Sequence, residues 1–513
     1  MYVRETLQLH SIEPDRIPQD APPSVWNDGR NVAFRNQEAV RVAGDEATLP
    51  GSAADAQTVV FYSFGTTVFW VYANSDGIWA HDGSTQTNIT PQSGWAGTND
   101  ATFTSCVMGG ICYINASDRD PVYWSGSVLE KCQPLPDWPE NGRCIALRAH
   151  KNFLFAIGFL SEAQQRVRWS DAAEAGTVPQ HWTPAPDNLA GFFDLTPNAS
   201  PCLEGKSLRD SFVVYKNESI WSLDFIGGNA VFQARKMFSE HGIANTNALT
   251  GGIDDVHLFV SSTGDVMQTD GAQVVSVLDG RAQRAFYNDF TANVPGRFAA
   301  ATLSREKLAF VIYPTSGQTL GNRALLYDFV SGDIGFRDMP QVSCAAEGAA
   351  LEDVGDVNTW DGSPPDDLWD TGSEPWSAEV KPQTIDDVIV GGAFGFAMIS
   401  TSREAGFIDG PIVANLEKSG LAFGDPQRRK MINRVWPKIT GAEGDAVQFR
   451  LGGQEVSGGP TTTLSTIDFK IGQNAPIDCF IQGRFLYMEI SSNGGSGWRL
   501  GSIDVEFRDV GAF

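Results

Sequence analysis

No apolar run in the 513 residues approaches the roughly 18 needed to cross a bilayer, and the opening "MYVRETLQLHSIEPDRIPQD" lacks the apolar centre of an export signal. The expectation is a soluble protein with no visible export signal. The seven cysteines (Cys106, Cys112, Cys132, Cys144, Cys202, Cys344 and Cys479) are odd in number and contain no C-x-x-C pair, which predicts buried thiols of a reducing compartment. The six histidines never fall at i, i+4 around a glutamate, nor beside a cysteine at ligand spacing, so no local zinc motif is present. Basic charge is scarce: 37 Lys and Arg against 62 Asp and Glu give a net charge of -25. That balance excludes a broad surface that grips phosphate backbones. Four Asn-x-Ser/Thr sequons, at Asn88, Asn115, Asn198 and Asn217, read as chance matches in a Ser/Thr-rich chain.

What is abundant points to strands. Hydrophobic residues make up 42%, with 53 Gly, 31 Phe and 14 Trp, the mixture of an all-β chain with many turns. Apolar runs at "VFWVY" (Val68), "ICYIN" (Ile111), "FLFAI" (Phe153), "SFVVY" (Ser211), "VHLFV" (Val256) and "LAFVIY" (Leu308) are each followed by a second run. In those followers an aromatic or large residue precedes Asp-Gly, Ser-Gly or a similar polar turn. With Ile78, Val122, Val167, Ile220, Val266 and Leu325 as equivalent points, the intervals are 44, 45, 53, 46 and 59 residues. Propeller blades repeat at about 40–50 residues, room for four short antiparallel strands. The sequence therefore predicts a β-propeller-like body of about six to eight blades. Six are convincing, and a seventh is built from "VIVGGAFGFAMIS" (Val388–Ser400) with "PIVANLE" (Pro411–Glu417). The competing arrangement is a pair of β-sandwiches; the fixed order within each repeat favours the propeller.

Residues 1–50 read as an N-terminal arm with a hairpin, 51–340 as the propeller body, and 341–424 as an acidic Trp-rich insertion with the possible last blade. From Asp425 the texture becomes alternating strands, such as Phe485-x-Tyr487-x-Glu489 and Ile503-x-Val505-x-Phe507, predicting a β-sandwich-like domain over 425–513. In the hairpin "WNDGRNVAFRNQEAVRVAG", Asn-Asp-Gly suggests φ > 0 at Asp28 and Gly29. Val32, Phe34, Val40 and Val42 are expected to face inward, and Trp26 and Phe34 to be buried.

Motifs for chemistry are weak. "EGKS" (Glu204–Ser207) has the tail of a phosphate-binding loop, but the required upstream glycine position holds Ser200. No G-x-S-x-G elbow occurs. Asp361, Asp366, Asp367 and Asp370, beside Trp360 and Trp369, are candidates for a glycosidase pair or a calcium loop. Calcium-ligand spacing fails at Trp360, so an exposed acidic loop is the favoured reading. Arg428, Arg429, Lys430, Arg434 and Lys438 form the one basic cluster, read as a solvated or subunit-facing strand edge rather than a nucleic-acid contact. The expectation is a non-enzymatic protein without metal or cofactor.

Several stretches, in this order, resemble the tail nozzle proteins of short-tailed bacteriophages, also called tail tubular protein B or DNA-stabilisation proteins. They are "PPSVWNDGRNVAFRNQEAVRVAG", "RVRWSDAAEAGTVPQHW" with "AGFFDL", "SFVVYKNESIWSLDFIGGNAVFQARKM" ending in "EHGI", "ALLYDFVSGDIGFRD" and "IQGRFLYMEISSNGGSGWRLGSIDVEFRDVGAF". The resemblance covers most of the chain. It implies a structural virion protein, synthesised in the host cytoplasm, that forms a homohexameric ring below the tail adaptor. That ring extends the ejection channel, retains and then releases the genome, and passes double-stranded DNA without specific binding. Tail fibres or spikes are further partners it suggests. The alternative functions are a glycan-binding or glycan-cleaving tail propeller using Asp361 or Asp367, and a cytoplasmic protein-interaction propeller.

Overall fold

The structure, a computed structural model, describes residues 2–511 except 65–66, 99, 197, 254, 290–296, 352–383, 400–405, 464–465, 474 and 495–496. Among the described residues the chain is almost entirely β. Its body is a propeller of seven four-stranded antiparallel blades closed by a strand from the N-terminal arm, and a β-sandwich follows at the C-terminal end.

Blade 1 holds Thr58–Phe64, Thr67–Ala73, Ile78–His81 and Gln86–Asn88; blade 2 holds Phe103–Met108, Ile111–Ala116, Val122–Trp124 and Gln133–Pro134. Blade 3 holds Cys144–His150, Phe153–Phe159, Ala163–Trp169 and Gly191–Asp194; blade 4 holds Cys202–Leu208, Ser211–Lys216, Ile220–Phe225 and Phe232–Phe238. Blade 5 holds Leu249–Ile253, Val256–Val260, Val266–Thr269 and Val274–Ser276. Blade 6 begins with Ala299–Leu303, Leu308–Tyr313 and Gly321–Asp328, and its outer strand is the first part of Ile334–Leu351.

The second strand of a blade is covered on both faces by neighbouring blades. Ile111–Ala116, Phe153–Phe159 and Leu308–Tyr313 are accordingly buried at every position, which explains their unbroken apolar runs. Blade 2 turns between its first two strands on Gly109 and Gly110, at φ 59° and 80°, a two-residue hairpin that needs positive φ at both positions.

Blade 7 is assembled from three distant parts. After a bulge that holds Gln341 at φ 29°, the strand Ile334–Leu351 continues from Val342 as the inner strand of this blade. It pairs with Thr384–Gly392, which pairs with Gly395–Met398, and the outermost strand is Glu46–Thr48 from the N-terminal arm. The ring closes where Cys344, Ile389 and Phe396 of blade 7 pack on Val59, Trp70 and Tyr72 of blade 1. "VIVGGAFGFAMIS" thus belongs to the last blade, as expected, but "PIVANLE" does not. Val413–Leu421 pairs with Phe485–Asn493 and with Asp28–Arg30, so the sandwich starts at Val413 rather than Asp425. Its apolar alternation suits either sheet, and only the distant partner decides.

One sandwich sheet is built on the long strands Arg429–Gly441 and Trp498–Gly511, flanked by Ile477–Gly483 and Val3–Leu7; the other holds Asp28–Arg30, Val413–Leu421, Phe485–Asn493 and Ala446–Gln454. Ile503, Val505 and Phe507 face inward, as their alternation predicts. In Phe485–Asn493 the deeply buried face is Leu486, Met488 and Ile490, the complement of the expected one.

The N-terminal arm joins the two units. Val3–Leu7 pairs with the terminal strand, Asp28–Arg30 with Val413–Leu421, and the hairpin Val32–Arg35 with Glu38–Arg41 sits between blade 6 and the sandwich. Val32 pairs with Phe336 of blade 6, and Ala39 and Val40 pair with Leu500 and Arg499. One sheet therefore runs without interruption from the inner strand of blade 6 to Ile477–Gly483. A single apolar core follows it, from Leu326, Val342 and Val388 to Leu416, Phe449 and Val505.

Trp26 and Phe34 are buried at 3% and 2% exposure, as the sequence predicts. The local geometry of the arm differs from expectation. Asp28–Arg30 is extended, and positive φ falls instead at Asn31 (59°), Asn36 (51°) and Gln37 (65°), the last two forming the hairpin turn. Gly29 is required by packing: a Cβ there would lie 2.7 Å from Ile12 Cδ1 and 2.9 Å from Leu416 Cδ2. Val40 is only half-buried, because Ala39 and Arg41 take the inward face opposite Phe34 and Val32.

Candidate functional site: the central cavity and the charged sandwich

The inner strands of all seven blades line a central cavity of about 420 Å³. Glu204 and Lys206 lie two apart on the inner strand of blade 4, which places them on one face. The Glu204 carboxylate accepts hydrogen bonds from Arg148 Nε (2.8 Å) and Nη2 (2.7 Å) of blade 3, and from the backbone N–H of Gly205 and of Asn247 (both 2.9 Å). Arg148 also donates to the Ser105 carbonyl of blade 2 at 3.2 Å and to Asn247 Oδ1 at 2.8 Å, and Asn247 donates to the Phe103 carbonyl at 3.1 Å. This network ties blades 2, 3 and 4 to the segment leading into blade 5. It lines the central cavity on the side of those blades.

Burial pushes the Glu204 carboxyl up, but the Arg148 charge and the four hydrogen bonds outweigh it and hold the group below the usual carboxylate range. For Arg148 burial again opposes the charge, and Glu204 reverses the balance, so the guanidinium is held more firmly than usual. The pair is bidentate and fully hydrogen-bonded, the condition under which a buried ion pair is tolerated. None of these residues was singled out from the sequence for this role, because only ring closure shows which strand of a repeat faces the axis.

The predicted basic cluster is real in sequence but neutralised in space. Arg429–Gly441 is an interior strand between Trp498–Gly511 and Ile477–Gly483, which corrects the expectation of a strand edge. Arg429 pairs with Glu455 at 2.8 Å, Arg434 with Asp478 at 2.7 Å, Lys438 with Asp504 at 3.5 Å, and Arg428 with Asp425 at 3.6 Å. Lys430 is buried and donates to the Asp425 carbonyl. The sheet ends at Ile477–Gly483, where Cys479 and Phe480 together oppose Asn433 in a bulge, with Phe480 at φ 47° and 66% exposed. Such a bulge blunts an edge against further strand pairing.

On the other sheet, Asp28, Glu417 and Glu489 stand in register on three adjacent strands, with Arg450 opposite Glu489. Burial, then repulsion from Asp28 and Glu489, raises the Glu417 carboxyl above its ordinary value. Asp361 and Asp367 lie outside the described residues.

All seven cysteines are free, and six are buried. Burial pushes the thiols of Cys106, Cys132, Cys202, Cys344 and Cys479 up to about 12. His150 and His257 are buried, and burial lowers them to about 4 and about 3. His257 lies between the Tyr215 hydroxyl and the Ser207 carbonyl, each at 2.9 Å, while His150 Nδ1 is 2.8 Å from Ser207 Oγ. No group of three or more His, Cys, Asp or Glu among the described residues is placed to hold a metal ion. No helix among them is long and apolar enough to cross a membrane.

No protein-family model and no curated protein sequence matches the chain. Two similar solved structures are the crystal structure of the computationally designed Ika8 protein and that of the WD40 β-propeller domain of Doa1. Each is 12% identical with a TM-score of 0.35 and covers 70% of this chain, spanning 99% of the Ika8 chain and 96% of the Doa1 chain. What makes the body of this chain a propeller is its own strand pairing: seven four-stranded blades in a ring, five of them separate sheets and the last completed by Glu46–Thr48.

Proposed function

We propose that this chain is a structural virion protein, the tail nozzle of a short-tailed bacteriophage. In this reading copies of it assemble as a homohexameric ring below the tail adaptor. The ring forms the distal part of the DNA-ejection channel and holds the genome until attachment to the host. Its role is mechanical, without catalysis or cofactor.

The observation that carries the reading is the threading of the N-terminal arm. The stretch "PPSVWNDGRNVAFRNQEAVRVAG", where the family resemblance begins, contributes strands to the sandwich and the bridge to blade 6. The Glu46–Thr48 strand just beyond it closes blade 7. Propeller and sandwich cannot then slide past each other without breaking sheet hydrogen bonds, which suits a wall that carries load. Charge adds support: six copies at -25 each carry about -150, and an electronegative bore repels duplex DNA instead of gripping it.

In such a ring the bore has to be enclosed between copies. The propeller's own central cavity, about 420 Å³ and lined by Arg148, Glu204 and Asn247, is far too small for a duplex, whose major groove alone is about 12 Å wide. Cryo-EM of the tail before and after ejection tests the reading. The expected result is a ring of this chain whose constriction opens on ejection; an unchanged bore would contradict the gating.

A further inference from the structure

We propose that Lys216 and Asn198 join through a self-formed isopeptide bond, with Glu218 carrying the protons. The inference does not depend on the nozzle reading.

Lys216 ends the second strand of blade 4, and Asn198 lies on the link between the outer strand of blade 3 and the inner strand of blade 4. Lys216 is fully buried. Its Nζ donates to the Leu195 carbonyl (2.6 Å), the Asn198 carbonyl (2.8 Å) and the side-chain Oδ1 of Asn198 (2.7 Å). Two other buried lysines touch backbone carbonyls: Lys418 donates to Pro22 and Val25, and Lys430 to Asp425. Lys216 differs in holding a side-chain carboxamide, an acceptor whose nitrogen can leave without cutting the chain.

The far side of that carboxamide meets the second requirement. Asn198 Nδ2 donates to Glu218 Oε2 at 3.3 Å, so a carboxylate stands at the nitrogen that has to depart. An ammonium facing Oδ1 and a carboxylate facing Nδ2 is the one orientation of the amide that satisfies both contacts. Burial lowers the Lys216 pKa, and its three acceptors are neutral oxygens with no charge to hold the proton. A desolvated lysine of this kind acts as a nucleophile once it is a free amine. Glu218 is exposed, so it exchanges protons with water.

The Lys216 ammonium loses one proton through Glu218 to water, and the amine lone pair attacks Asn198 Cγ. As the new N–C bond forms, the Cγ–Nδ2 bond breaks. Glu218 moves a proton from the attacking to the departing nitrogen, which leaves as ammonia. Ammonium and carboxamide thus become a secondary amide and an ammonium ion, with no oxidant or other reactant. The bond ties the link between blades 3 and 4 to the second strand of blade 4.

Intact-mass spectrometry of the full chain tests this. The wild type should be lighter than its sequence mass by one ammonia, and a tryptic digest should yield a branched peptide joining the Asn198 and Lys216 segments, uncut at Lys216. Asn198→Ala and Lys216→Met should each restore the full mass. Glu218→Gln, a change on an exposed side chain, should leave most of the chain unlinked. The branched peptide distinguishes the bond from a succinimide at Asn198, which also loses ammonia. The proposal is overturned by a wild-type chain at full sequence mass, by a deficit without the branched peptide, or by a deficit that survives Asn198→Ala. Full linkage in Glu218→Gln would overturn the role given to Glu218.

Discussion

Arg148 and Glu204 show how one pair can organise the centre of a ring. Removing one partner strands the other in a buried site, so Arg148→Met should destabilise the fold by about 3–5 kcal/mol. The double variant Arg148→Met with Glu204→Gln should lose less than the sum of the singles, and denaturant unfolding of the four proteins measures the difference. His257 carries a pH dependence of definite sign. Its folded pKa, about 3, lies below the ordinary value of 6.5, so the folded state holds it neutral while the unfolded chain takes a proton. Stability is therefore complete above about pH 6.5 and falls as pH drops towards 3. By pH 4.5 this one group should cost about 2–3 kcal/mol. Unfolding free energies at pH 7 and 4.5 check it: His257→Gln should show a smaller loss between the two than the wild type. These roles were not legible in the sequence. Glu204 occupies an ordinary strand pattern, and its meeting with Arg148 depends on the inner strands of blades 3 and 4 lying side by side.

At the scale of elements, the first six blades were readable because their signals are local. Each blade needs an apolar strand covered on both faces, a tight turn and a shorter partner strand, all within one interval of sequence. Blade 7 lacks that continuity. Its outer strand, Glu46–Thr48, pairs with Phe396–Met398 from far along the chain, and nothing in "EAT" announces a partner. Val413–Leu421 was misplaced for the same reason, since its apolar alternation suits a blade or a sandwich alike. The arm also shows how a correct burial can rest on a wrong local geometry. Trp26 and Phe34 are buried as expected, yet Asn-Asp-Gly makes a strand, and Gly29 is there because Ile12 and Leu416 leave no space for a Cβ. Gly29→Ala should therefore destabilise by about 1–3 kcal/mol through overpacking. Equilibrium unfolding measures it; a neutral or stabilising effect would show that Ile12 and Leu416 can yield.

As a whole molecule the chain is two units joined by shared strand pairing, strongly acidic overall, with a central cavity of only about 420 Å³ in the propeller. The basic cluster, the one sequence feature that could have suggested a grip on nucleic acid, is absorbed by Asp425, Glu455, Asp478 and Asp504. In the proposed nozzle, the strand pairing between the two units suits a wall, and the small central cavity leaves the passage for DNA to lie between copies. The most direct measurement of that claim is a cryo-EM reconstruction of the virion tail, before and after ejection. The account predicts a closed ring of this chain at the distal end of the tail, an acidic bore enclosed between subunits, no DNA within any propeller, and a constriction that opens on ejection. A tail without this chain, or DNA density running through a propeller axis, would contradict it.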